Sequence, residues 1–209
     1  MNIFALNDDP ELAAQQHCDK HVVKMIVEYT QLLSTAHRVL DGEQATVGKR
    51  KFYLLLGEEL LILDRPVIHR AVCYNATHAA HPCAIWVRRS IGNYQWLLSL
   101  LEHLCLEYTR RYGRVHASTA YLPFLRTEPR NIPYHVRSPF VQCMPDQYQV
   151  PNDPIAGYQA FYLGEKIRFA KYSNRSLPTW FEAGITSKGL HASDFTRTRP
   201  LHPSTVEGD

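Results

Sequence analysis

Six polar side chains, His17, His21, Lys24, Glu28, Gln31 and Thr35, recur at intervals of three and four residues. At about 100° per residue they fall within roughly 40° of one line on a helix, and Val22, Met25, Ile26, Tyr29, Leu32, Leu33 and Ala36 cover much of the remaining circumference. Imidazoles, an amine and a carboxylate on one line offer proton donors, proton acceptors and a charge that stabilises a cationic transition state. The catalytic candidates are therefore Glu28, Lys24, His17 and His21. Lys24 precedes Glu28 by one turn, a spacing that suits an ion pair as well as an amine nucleophile. His17 and His21 also stand at the spacing of two metal ligands, with His78 and His81 to complete a set, which would make a metal-dependent hydrolase. No His-Glu-x-x-His accompanies them, so no metal is assigned. The plain alternative is that the stripe is the solvated side of an amphipathic helix.

The elements that must hold these residues are mostly helical. Asp9 can cap free amides, Pro10 suits the first helical position, and Asp41-Gly42 ends the pattern, which predicts one long helix over residues 10–40. A second long helix is expected over 82–112, opening at His81-Pro82 and ending in the basic Arg110, Arg111 and Arg114. A third runs over 154–172 from Asp153-Pro154. Between the first two, Phe52 to Leu63 is apolar and Pro66 interrupts, so one or two short helices are expected. Residues 116–153, rich in Pro, read as a long irregular loop, and loops of that length are usually functional or disordered. The expected fold is all-α: a compact bundle in a single domain over 1–184, followed by a flexible tail over 185–209.

Composition narrows the functional classes. Against 23 Lys+Arg stand 20 Asp+Glu, a formal charge of +3, so a polyanionic partner is not required by charge alone. Five cysteines without CxxC pairing point to free thiols in a reducing cytoplasm. Cys18 neighbours His17 and His21, but its helical direction differs, which disfavours a nucleophilic thiol. No apolar run reaches the roughly 18 residues of a spanning helix, and no Gly-rich phosphate loop offers a donor site for a transferase. A soluble, cytoplasmic monomer without cofactor is expected.

Two segments in the same order resemble the small phage pyrimidine-dimer DNA glycosylases of the endonuclease V type. Glu11-Leu12-Ala13-Ala14-Gln15-Gln16-His17 is similar to that family's Glu-Leu-Ala-Asp-Gln-His, with one residue inserted. Glu165-Lys166-Ile167, then Arg175 and Pro178-Thr179-Trp180-Phe181, is similar to its Glu-Lys-Ile and Arg-Pro-Thr-Trp-Tyr. The middle of the chain, including Thr77-His78 to Trp86, looks more like longer phage and bacterial relatives. The resemblance implies a compact helical enzyme that opens DNA and cuts a glycosidic bond, using its N-terminal amine and a carboxylate on the first helix. Here the family's carboxylate position, seven residues after His17, holds Lys24, and Glu28 lies one turn further along the same face. Asn2 is large for removal of Met1. The expected reaction is therefore hydrolysis by water beside Glu28, leaving an abasic site without strand cleavage. The 116–153 loop suggests a substrate bulkier than a photodimer, such as a hypermodified or glucosylated phage pyrimidine, and a role in phage defence or repair.

The expected partner is double-stranded DNA, phage or damaged. Lys20, Arg88, Arg89, Arg110, Arg111, Arg126, Arg130, Arg137, Lys166 and Arg175 are candidate phosphate contacts, and Trp180 and Phe181 candidate platforms for an exposed base. Lys171 and Arg168 add to the basic set. A non-catalytic DNA-binding or anti-defence module is the alternative outside enzymology.

Overall fold

Asp9 opens α1 (Pro10–Gln16) as expected, its carboxylate accepting from the amides of Glu11 at 2.7 Å and Leu12 at 3.2 Å. The computed structural model describes residues 1–47, 49–62 and 67–198, so Pro66 and the last eleven positions of the expected tail lie outside the described residues. Seven α-helices and only short strands make the described chain largely helical.

The predicted first helix is two. His17 is extended (φ −66°, ψ 132°), and α2 (Asp19–Asp41) starts afresh behind it. The break exposes the carbonyls of Gln15 and His17, and both accept from the Arg111 guanidinium, at 2.9 and 2.8 Å. The second long helix is likewise split, into α3 (Pro82–Arg89) and α4 (Ile91–Tyr112), by an extended Ser90. Ser90 Oγ accepts from the Asn93 amide at 3.2 Å, a regular helix start, while Ile91 and Gly92 donate to the carbonyls of Pro133 and His135. A Cβ on Gly92 would stand 2.4 Å from the Arg137 nitrogen, so glycine is what admits that strand of loop. A four-residue α5 (Leu122–Leu125) lies within the 116–153 loop. The third predicted helix is regular only as α6 (Pro154–Phe161); a π turn (Tyr162–Lys166) and a 3-10 turn (Ile167–Phe169) follow. An α7 (Thr179–Thr186) was not expected.

The short helices expected between residues 42 and 80 are hairpins instead: β1 (Glu43–Val47) pairs with β2 (Arg50–Leu54), and β3 (Glu59–Ile62) with β4 (Val67–Arg70), both antiparallel. Two residues explain the correction. Gly57 sits at φ +84°, a turn conformation, and Glu58 is buried as the partner of Arg38 at 2.7 and 2.9 Å. Glu58 also accepts from the amides of Leu55 and Val72, so the segment folds around a carboxylate rather than along an apolar face. In the expected tail, β6 (Thr196–Arg197) pairs in parallel with β5 (Tyr172–Ser173), and Phe195 is buried against Phe181.

The chain forms two compact units. The first comprises Met1–Ile3, Val27–Leu98 and Ala120–Val141, with a core of Tyr29, Leu32, Leu33, Trp86, Tyr94 and Leu125. The second comprises Phe4–Ile26, Ser99–Thr119 and everything from Gln142, with a core that includes Val22, Leu104, Tyr158, Tyr162 and Phe181. No described helix is long and apolar enough to cross a membrane.

Candidate functional site

The first unit gathers a carboxylate, two imidazoles and an amine. Glu28 stands half-buried on α2. His81 is the N-cap of α3, its Nδ1 accepting from the Cys83 amide at 3.2 Å. Because an amide can only donate, the neutral ring carries its proton on Nε2. Burial lowers the pKa of His81, the Met1 amine and His78 lower it further, and Glu28 opposes them. The Met1 amine, His78 and Glu28 are therefore each within electrostatic reach of His81. His78 is held in the left-handed region at φ +49°, a conformation sparsely populated by non-glycine residues and enriched at functional positions. Its Nδ1 lies 2.7 Å from Thr77 Oγ1, and the buried Thr35 hydroxyl anchors Thr77 by accepting from its amide and donating to its carbonyl. The polar stripe thus contributes Glu28, Gln31 and Thr35 to this unit. Its carboxylate and the neutral His81 ring can orient water, stabilise positive charge and donate a hydrogen bond to a leaving group.

His17, His21 and Lys24 belong to the second unit. His17 is fully buried and its Nδ1 donates to the Ala13 carbonyl at 2.7 Å. His21 Nδ1 meets the Tyr162 hydroxyl, and its ring packs 4.4 Å from Phe4. Burial drives both pKa values down, to about 4 for His17 and about 2 for His21, where His17, Lys166 and Lys24 add to the effect. The two imidazoles are core residues, not the solvated face of a helix and not an open catalytic pair. Among the described residues no metal-competent group of three ligands includes either one. Lys24 is exposed and, with Lys166, adds positive charge beside them. Burial also raises the Cys18 thiol to about 11, which removes it as a nucleophile at neutral pH.

These buried rings are expected to make the protein acid-labile. His37 in the first unit, hydrogen-bonded to Tyr94 at 2.9 Å, is likewise lowered to about 4 by burial. Above about 6.5 these histidines are neutral whether the chain is folded or not, and nothing is lost. Below it the unfolded chain takes up protons that the folded one refuses, so stability falls until the folded values are reached. Each pH unit below 6.5 should remove about 1.4 kcal/mol for each histidine still neutral. Urea midpoints between pH 7 and 5, above the carboxylate range, should fall steeply; a flat profile would contradict this.

The predicted DNA contacts separate by burial. Lys20, Arg89, Arg110, Arg126 and Arg130 are exposed. Arg88 and Arg137 are half-buried, Arg88 with an Nη1 that has no hydrogen-bond partner among the described residues and Arg137 4.4 Å over the Phe140 ring. Lys166 lies 4.2 Å over Phe161. Arg111 is corrected outright: it is 1% exposed and binds Asp19, Glu107 and two carbonyls, so it has no reach to a phosphate. Arg175 is half-buried and its guanidinium grips Glu107. Burial raises the Glu107 carboxyl, but Arg175 and Arg111 outweigh it and hold the pKa below the usual range. Phe181 is fully buried against Tyr172 and Phe195, and Trp180 donates to Gln16 at 2.9 Å, so neither is a free stacking platform. Sequence reasoning missed Arg197, which lines a cleft with Arg110 and Arg175.

Comparison with protein-family models, curated proteins and solved structures finds no match for this chain.

Proposed function

We propose that the protein is a DNA glycosylase that hydrolyses the N-glycosidic bond of a damaged or hypermodified pyrimidine and leaves an abasic site. The observation that carries this reading is that Glu28, His78 and the Met1 amine share one unit with His81 and each act electrostatically on it. Departure of the base leaves positive charge on C1′ and the ring oxygen of the sugar. Glu28 opposes that charge and orients the water that attacks C1′, taking up its proton. The base leaves with the bonding electron pair, and the Nε2–H of neutral His81 donates a hydrogen bond to it. The low pKa of His81 suits this part, since the ring stays neutral at the pH of the cell. A bulky pyrimidine, and with it a place in phage defence or repair, is supported by the length of the 116–153 loop, whose Tyr134 and Val136 are 86% and 89% exposed.

The deciding experiment presents the purified protein with normal, ultraviolet-irradiated and glucosylated or otherwise hypermodified duplex DNA. Free base and an alkali-labile abasic site should arise from one of the modified substrates and not from normal DNA. Release of no base from any of them would overturn the reading. Borohydride added during turnover distinguishes attack by water, which traps nothing, from attack by Lys24 or the Met1 amine, which leaves a stable protein–DNA adduct.

A further inference from the structure

Two clefts in the second unit share Arg197 as a common wall. The first, about 560 Å³, is lined by Arg110, Arg175 and Arg197 with the hydroxyls of Ser176 and Thr196, and no acid among the described residues lines it. The second, about 570 Å³, is lined by Lys20, Arg168, Phe169 and Lys171, with Lys20 and Arg168 over the Phe169 ring and the Lys171 ammonium over Phe195. The one acid that lines it among the described residues, Asp19, is engaged by Arg111 at 3.2 Å and by the amide and hydroxyl of Ser173 at 2.9 and 2.6 Å.

The cations are positioned from within the unit. Buried Glu107 holds Arg175 Nε at 3.0 and 3.1 Å, and the Asn174 amide donates to the Arg197 carbonyl at 2.8 Å. Phe169 is half-buried, with Lys20 Nζ 5.0 Å and Arg168 Cζ 5.8 Å from its ring centre. Guanidinium groups match phosphate oxygens in shape and charge. One such cleft would serve a single phosphate. Two adjoining basic clefts, the second built around an aromatic ring, have the composition of a groove that follows a polynucleotide backbone while a base stacks.

We infer that the joined clefts bind a single-stranded segment of nucleic acid, its phosphates against Arg110, Arg175 and Arg197 and one base on Phe169. This groove belongs to a different unit from Glu28 and does not depend on the excision reading.

Fluorescence anisotropy of the full chain with a labelled oligothymidylate about 12 nucleotides long, against a duplex of the same length, tests it. Saturable binding should prefer the single strand and weaken with salt. Arg197→Gln, at an exposed position, should lower affinity several-fold and make the log K against log salt slope shallower by about 0.7. Phe169→Leu keeps the apolar burial but removes the ring face, and should weaken binding by about 5- to 150-fold at an unchanged salt slope. Glu28→Gln should bind as wild type, so failure to excise any base would leave this result standing. Equal binding of duplex and single strand, or an unaffected Phe169→Leu, would overturn the inference. Displacement by inorganic phosphate beyond its ionic-strength effect would overturn it too, since it marks a free-anion site.

Discussion

Glu28→Gln is expected to lower single-turnover base excision by about 10²- to 10⁴-fold while leaving DNA affinity and unfolding unchanged. The substitution is nearly isosteric, and glutamine is as good a helix former as glutamate, so α2 should be undisturbed. What disappears is one negative charge at a half-buried position. Its loss acts at two points. The developing cation on the sugar loses its counter-charge, and the attacking water loses its proton acceptor. Glu28 also favours the protonated form of His81, against burial, the Met1 amine and His78. With the carboxylate gone, the acid limb of any remaining activity should move to lower pH, because His81 then gives up its proton more readily. Rapid-quench excision on the responsive substrate, across pH 5 to 8, measures both effects. Wild-type rates in the variant would show that Glu28 carries no chemistry, and would favour a module that binds DNA without acting on it.

How much of this was legible in the sequence depends on where each deciding partner sits. The helix starts at Asp9-Pro10, His81-Pro82 and Asp153-Pro154 were readable because cap and helix are neighbours in the chain. The break at His17 was not, because the groups that satisfy its freed carbonyls come from Arg111, 94 positions away. Ser90 was readable only in hindsight, since the strand of loop that occupies the amides behind it comes from residues 133–135. The apolar run from Phe52 read as helix because periodicity cannot register that Glu58 would be buried by Arg38. In the first unit, the stripe drew attention to Glu28, yet His81, on which Glu28 and His78 act, entered with His78 only as a possible metal ligand. The same stripe misled for His17 and His21: polar residues at helical spacing read as a face, and these two are core imidazoles with their Nδ1 atoms engaged. Trp180-Phe181 misled in the same way, since aromatic composition does not distinguish a stacking platform from a packed ring. Arg197 gave no signal, because a two-residue pairing with Tyr172–Ser173 leaves no period to detect.

Arg111→Met should destabilise the fold by about 3–5 kcal/mol, the largest loss expected of any single change in the second unit. Methionine conserves length and apolar volume, so the penalty arises from what the guanidinium leaves behind. Glu107 is 4% exposed and Asp19 6%, and each would lose a cation it now holds at 3.0 or 3.2 Å. The carbonyls of Gln15 and His17, opened by the break between α1 and α2, would lose their donor as well. Buried carboxylates left unpaired cost far more than the pair itself contributes, because desolvation is no longer offset. Asp19 keeps the Ser173 amide and hydroxyl, and Glu107 keeps Arg175, which is why the loss should not exceed this range. Arg175→Gln makes the contrast: its side chain is 19% exposed, Glu107 retains buried Arg111, and the loss should be nearer 1–2 kcal/mol. Urea unfolding at pH 7.5 followed by circular dichroism orders the two variants. Equal losses would mean that burial of the cation does not set the cost; a loss below 1 kcal/mol for Arg111→Met would mean that the two acids find other partners. Without Arg111, Glu107 should also take up a proton more easily, so the deficit of Arg111→Met relative to wild type should shrink as pH falls toward 4.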